Sequence, residues 1–215
     1  MKFSRWDVRR KAHALPDLKF ESQTLTSFAG LVVFQKFFMA IDLKARLSRC
    51  FRHVNGGKVF DRTVVFLQLI VHLLLGFREL QDCRYYRDDP LVKRLLGLKR
   101  LPDVATLSRM LKETGAKSVE ALRCVLREMV LDRLRSIAPA RITLDFDGSV
   151  QSTKRHAEGT AVGFNKKKKG ARSYYPLFCT IAQTLQVFDF LHRSGNVHDS
   201  NGAKGFILAC IDEVR

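Results

Sequence analysis

A chain of 215 residues, 46% hydrophobic and 27% charged, is long enough for one large or two small domains with buried cores, and its balance excludes a disordered polymer. Its 38 Lys and Arg against 21 Asp and Glu leave a formal charge of +17, with a pI near 10.1. Such an excess repels itself unless a polyanion offsets it, and nucleic acid is the commonest one. A basic but otherwise inert surface and an anionic membrane surface are the alternatives.

The longest apolar run, Val64 to Phe77, carries Gln68 and His72 and is too short to span a bilayer. The first residues, MKFSRWDVRRKAHALPDL, have charge but no apolar signal core or small-residue cleavage site. A cytoplasmic, nucleoid-associated location with no membrane partner is the expectation. Cys50, Cys83, Cys124, Cys179 and Cys210 form no CxxC or Cys/His ligand spacing, which suits reduced thiols rather than zinc ligands.

Along the chain, residues 1–24 read as a basic arm and residues 25–139 as a helical region. Leu25 to Met39 is densely apolar, Leu43 to Phe51 carries basic residues on one side, and Asn55-Gly56-Gly57 is a break. Asp61 is placed to cap a helix reaching about Gly76, apolar on nearly every face and so expected to be buried. His72 within it reads as a satisfied core residue. Asp88-Asp89-Pro90 starts a helix that runs to Gly97, and after a turn at Leu101-Pro102, Asp103 caps a second. Leu107, Met110 and Leu111 would face inward, with Thr106, Arg109 and Lys112 outward. Residues 88–113 thus resemble a helix-turn-helix that presents cations to the major groove, although an ordinary helical hairpin fits the pattern equally well. A longer amphipathic helix from Ser118 to about Ile137 is closed by Pro139.

The pattern changes at residue 140. Arg141 to Asp147 alternates as a strand, Lys154 to Arg172 is a polar, glycine-punctuated loop, and Pro176–Ala182 and Gln186–His192 are two further strands joined near Thr184. Ala203 to Val214 is a final helix. The fold class is therefore α+β: an all-helical region with the candidate DNA-binding pair, then a mixed strand-and-helix region over 140–215.

Asp145 and Asp147 fall on one face of the first strand, with Ile142, Leu144 and Phe146 on the other. Carboxylates at a strand end can hold a hard divalent cation, while Asp-Gly is also a hairpin signal. The run Lys166, Lys167, Lys168, Lys169, with Arg172 beyond it, reads either as a solvated loop or as a DNA-backbone contact. Tyr174 and Tyr175 are placed to stack on an unpaired base or to pack on a core. His198 falls in the loop before the last helix, and no P-loop, nucleophile triad or dinucleotide fingerprint is present.

Four segments, LDFDGS (Leu144–Ser149), EGTAVGFN (Glu158–Asn165), KKGARSYYPL (Lys168–Leu177) and LHRSGNVHDSNGA (Leu191–Ala203), occur in an order that strongly resembles the DDE transposases of bacterial insertion sequences, in the group described as transposase DDE domain, group 1. The resemblance implies a ribonuclease-H-like catalytic fold in which three carboxylates bind two Mg²⁺ ions for phosphodiester cleavage and strand transfer in cut-and-paste DNA transposition. It implies double-stranded DNA, the terminal inverted repeats, as partner, with a homodimer as a candidate assembly. Asp147, followed by Ser149, matches the first catalytic carboxylate, with Asp145 as alternative or neighbour. Tyr175 stands where His is frequent. In that fold the second Asp follows the first helix on the fourth strand, so the expectation is a truncated form lacking two carboxylates. A catalytically inactive regulator of transposition and a general basic nucleic-acid-binding protein are the alternatives.

Overall fold

The computed structural model describes residues 25–54, 59–153, 157–163, 165 and 168–215. The proposed arm at 1–24, the break at 55–57, and Phe164, Lys166 and Lys167 lie outside the described residues.

The first half is helical: α1 (Leu31–Ala40), α2 (Leu43–Cys50), α3 (Arg62–Leu74), a 3-10 turn (Leu80–Tyr85), α4 (Pro90–Leu96), α5 (Val104–Lys112) and the 22-residue α6 (Ala116–Ile137). The second half holds β1 (Leu144–Gly148), β2 (Gln151–Ser152), β3 (Ala161–Val162), β4 (Arg172–Tyr174), β5 (Leu177–Ile181), β6 (Gln186–Leu191) and α7 (Ala203–Val214). The chain is thus α+β, and among the described residues no helix is long and apolar enough to cross a membrane.

Local chemistry explains most boundaries. Asp89 accepts from the backbone N–H groups of Leu91 and Val92 at 2.9 and 3.1 Å, Pro90 fills the first turn, and Gly97 ends α4 in the left-handed region at φ 68°. Asp103 accepts from the Thr106 N–H at 2.8 Å to start α5. Asp61 precedes α3 in extended conformation but makes no side-chain cap bond, contrary to expectation. The seven residues from Gly97 to Asp103 joining α4 to α5 are more than the three or four of a helix-turn-helix turn, because Leu101 and Pro102 are drawn into the core. Leu111, expected inward, is exposed, since the inward stripe of α5 is carried by Leu107 and Met110. The C-terminal end of α3 is likewise not enclosed: Leu73 is 67% exposed.

One core joins Leu31, Leu43, Leu47, Val65, Leu67, Val71, Tyr86, Val92, Leu96 and Leu107. Inside it His72 Nδ1 meets the Tyr86 hydroxyl at 2.9 Å, while His72 Nε2 and Gln68 Oε1 are buried without a hydrogen bond, so His72 is only half satisfied. A second core sets Val130 and Leu134 of α6 and Phe206 and Cys210 of α7 against Leu177, Cys179, Ile181 and Phe188 of the sheet. The opposite side of α6 packs Val125 on Cys50 and Phe51. The compositional change at residue 140 therefore falls inside a shared structure, because α6 lines both halves.

The larger sheet has the order β1-β5-β6, antiparallel throughout, with Asp147 opposite Phe178 and Asp145 opposite Thr180. Period-2 alternation turns Leu144 and Phe146 to the helices and leaves both aspartates on the exposed face. The segment from Lys154 to Arg172, expected as a loop, instead contributes β3 and the start of β4 to a second sheet of order β2-β4-β3. Its strands are two or three residues long, below what alternation can reveal.

Asp189 on β6 is 3% exposed and fastens the sheet to α6. It accepts from Arg123 Nε and Nη2 at 2.9 and 2.7 Å and from Arg127 Nη1 at 2.8 Å. Burial pushes its carboxyl up, but the two guanidinium bonds and the Phe190 N–H outweigh that and hold its pKa below the ordinary value.

Candidate active site

The C-terminal end of β1 lies where the two sheets meet. Gly148 closes the strand, and the Ser149 N–H donates to the Pro176 carbonyl at 3.0 Å. A Cβ at Gly148 would stand 2.5 Å from the Tyr175 hydroxyl, so glycine is what lets that phenol lie against the strand beside Asp147. Hydrogen bonding to Asp199 is the largest influence raising the Tyr175 pKa; burial and the charges of Asp199 and Asp147 act the same way, against Arg193. The phenol therefore remains a protonated donor at neutral pH.

Behind Tyr175 stands Arg193, 6% exposed. The Tyr175 N–H donates to the Arg193 carbonyl at 2.8 Å, Arg193 Nε donates to the Tyr175 carbonyl at 3.0 Å, and the guanidinium carbon sits 5.2 Å from the Tyr175 ring centroid. Arg193 Nη1 gathers the carbonyls of Asp199 at 2.9 Å, Asn201 at 3.2 Å and His198 at 3.4 Å. A fixed guanidinium fork is suited to holding several acceptors of one loop together. His198 and Asp199 are thereby carried to the end of β1, with His198 Nδ1 3.0 Å from Ser200 Oγ.

The small sheet forms the opposite side. Asn165, 6% exposed, donates through Nδ2 to Ser152 Oγ at 2.7 Å, and its Oδ1 accepts from the Lys168 N–H at 3.0 Å. These bonds fix the start of the basic loop, from which Lys168 and Lys169 are exposed. Gly163 and Gly195 cross in contact: a Cβ at 163 would fall onto the Gly195 carbonyl, and one at 195 would meet Ser173 and the Ala161 carbonyl. Between the two sides lies a cleft of about 720 Å³ lined by Ser149, Ser152, Asn165, Lys168, Tyr175 and His198, among others.

The other expected DNA contacts are distributed differently. Arg172 donates from Nε to Thr160 Oγ1 at 3.0 Å and from Nη2 to the Thr160 carbonyl, so its guanidinium is engaged within the small sheet. Tyr174 donates to the Glu158 carbonyl at 2.6 Å and packs on His192 with ring centroids 4.6 Å apart, so one face of its ring is already covered. Arg109 and Lys112 on α5 are exposed as expected, in a different part of the fold from the cleft. Thr106 is half-buried; its N–H donates to Asp103 at 2.8 Å, and hydrogen bonding from Thr106 holds that carboxyl's pKa below its ordinary value.

Asp147 and Asp145 are exposed carboxylates two residues apart on one strand face, about 6.5 Å between Cα atoms. Asp147 fits the hard-oxygen preference of Mg²⁺ as one ligand, the remainder being water or other oxygens. Among the described residues no group of three His, Cys, Asp or Glu gathers to complete such a site.

A family model described as transposase DDE domain, group 1, matches residues 12–215, including the helical half as well as the strands. The chain belongs to the DDE transposase family. No curated protein and no solved structure was found to match. Within this DDE transposase chain, Arg193 and Asp199 were not singled out by sequence reasoning, although both lie in the segment Leu191–Ala203. Their signal, an Arg five and six residues before a His and an Asp in a glycine-containing loop, has no meaning until the loop is seen folded back on the Arg.

Proposed function

We propose that the chain acts in DNA transposition of an insertion sequence, with Asp147 as the first metal-binding carboxylate for phosphodiester cleavage and strand transfer. The observation carrying this reading is the exposed Asp147 at the end of β1, adjoining a cleft with Lys168 on its far side, in a chain whose family is the DDE transposases. The order of elements supports a ribonuclease-H-like catalytic region: a strand ending in the carboxylate, two further antiparallel strands, then a helix. Mg²⁺, when held by Asp147 and further carboxylates, supplies charge neutralisation at the phosphodiester and an activated water. Lys168 and Lys169 beside the cleft, and Arg109 and Lys112 on α5, are the exposed cations available to DNA phosphates. The proposed ligand is double-stranded terminal-repeat DNA, with a homodimer spanning two ends.

The second reading is a regulator that occupies transposon ends without cutting them, supported by the exposed cations Arg109 and Lys112 on α5, in a different part of the fold from the cleft. One assay separates the two. Terminal-repeat duplex is incubated with the protein and Mg²⁺, and both band shift and nicking are followed. Transposition chemistry predicts metal-dependent nicking that Asp147→Ala abolishes with the shift retained. Regulation predicts a sequence-selective, salt-sensitive shift with no nicking by either protein. Equal binding to any polyanion overturns both.

A further inference from the structure

The cleft at the end of β1 has a volume of about 720 Å³, within the ~300–1,000 Å³ of small-molecule sites. It is too small for a base-paired duplex, which must lie across it. Three hydroxyl-bearing side chains, Ser149, Ser152 and Tyr175, line it together with Lys168 and His198. One carboxylate, Asp199, also lines it, its main-chain carbonyl held by Arg193 Nη1 at 2.9 Å. Both walls are held by interior bonds rather than by the ligand. Asn165 ties the Lys168 wall to Ser152, and Arg193 ties the His198 wall to Tyr175. A cavity with a lysine, a histidine and hydroxyl donors on pre-formed walls is suited to an anionic oxygen cluster.

We propose that this cleft seats one backbone phosphate of a single DNA strand, contacted by Lys168 and His198, and that buried Arg193 is the positioning residue that holds the His198 wall in place. The assignment deepens the transposition reading and rests on it for the identity of the strand. Gly148 and Ser149 line the cleft directly after Asp147 on β1, so a phosphate seated there sets where the strand lies relative to that carboxylate. Arg193 touches no ligand; it acts through the carbonyls of residues 198–201.

The test uses the full chain and a labelled single-stranded DNA octamer, followed by fluorescence anisotropy over a salt series. Lys168→Ala weakens binding about tenfold and lowers the log–log salt slope by about 0.7, the value for one lost single-strand phosphate contact. His198→Ala weakens binding severalfold. Arg193→Lys weakens it to a similar extent and raises hydrogen exchange of the amides at 196–201, a change that Lys168→Ala does not produce. Arg109→Ala/Lys112→Ala leaves octamer binding unchanged while weakening duplex binding. Octamer affinity within twofold of wild type in both Lys168→Ala and His198→Ala overturns the proposal, as does octamer binding that follows Arg109 and Lys112 instead. Loss of terminal-repeat selectivity with the octamer responses intact would sink the transposition reading and leave the cleft assignment standing.

Discussion

Replacing Asp189 by Asn tests the joint between the sheet and α6. The Asp189 side chain is 4% exposed, against 13% for Arg127 and 27% for Arg123, so the variant leaves two guanidinium groups facing a neutral amide in a dry setting. Breaking a buried pair from one side costs ~3–5 kcal/mol. Glu120 still reaches Arg123 at 2.6 Å and Arg127 at 2.9 Å, which argues for the lower end, about 3 kcal/mol. At roughly 2–4 °C per kcal/mol for a chain of this size, Tm should fall by about 6–12 °C. Differential scanning calorimetry reads this directly. The triple variant Arg123→Met/Arg127→Met/Asp189→Leu should recover most of the loss, because it leaves no buried charge unpaired, and Glu120 and Glu213, which lose their partners, are half-exposed. Acid titration gives an independent check. The folded Asp189 pKa lies below its ordinary value of 3.8, so its contribution is complete above that pH and disappears as pH falls through the folded value. The gap between wild type and Asp189→Asn should therefore stay constant from neutrality to about pH 5 and close in stronger acid. A Tm within about 2 °C of wild type would refute the claim that these ion pairs hold the sheet on α6.

Two further predictions concern other parts of the fold. Gly148→Ala forces its methyl into the Tyr175 hydroxyl, which should cost ~1–3 kcal/mol of stability by overpacking and alter the near-ultraviolet circular dichroism of tyrosine; an unchanged spectrum and Tm would contradict the close approach. His72 is pushed below its ordinary pKa of 6.5 chiefly by burial, against a smaller opposing pull from Asp82 and the Glu79 main chain. Its neutral form is the folded one, so stability should be full above that value and decline as pH falls below it, and His72→Gln should flatten the decline in urea titrations between pH 7 and 5.

The sequence made the helical elements legible where capping chemistry was local. Asp89, Pro90 and Gly97 each act within a few residues, and the structure places α4 where they indicate. The same local reading failed at Leu111 and Leu73, whose exposure depends on which neighbours reach that face. Alternation over Arg141 to Asp147 revealed the aspartate face because seven residues sample the strand period more than three times. The small sheet escaped notice because a two-residue strand has no period, and its partners are separated by loops. Asp147, the proposed metal ligand, could be picked out by its position in a motif. Arg193 could not, since its role consists of bonds to carbonyls, which carry no sequence signature. Arg172 and Tyr174 show the converse: residue type suggested a free DNA contact, while nearby acceptors and a ring already engage the side chain.

The shared helix α6 also limits how such a chain can be recombined. Val125 on one of its sides and Val130 and Leu134 on another serve different cores, and Arg123 and Arg127 reach the sheet. A hybrid joined at residue 140 would pair one parent's α6 with another parent's strands, and both the apolar fit and the Asp189 charge match would have to coincide by chance. The turn at Glu113–Gly115, just before α6, is the better seam: it keeps helix and sheet in one cassette, and what must be matched across it is the packing of Leu122, Val125 and Met129 on the cores of the first half, the Ser118–His53 contact and the Arg46 and Arg49 ion pairs. Exchange between relatives should therefore favour crossovers ahead of Ala116 over crossovers at the strand boundary.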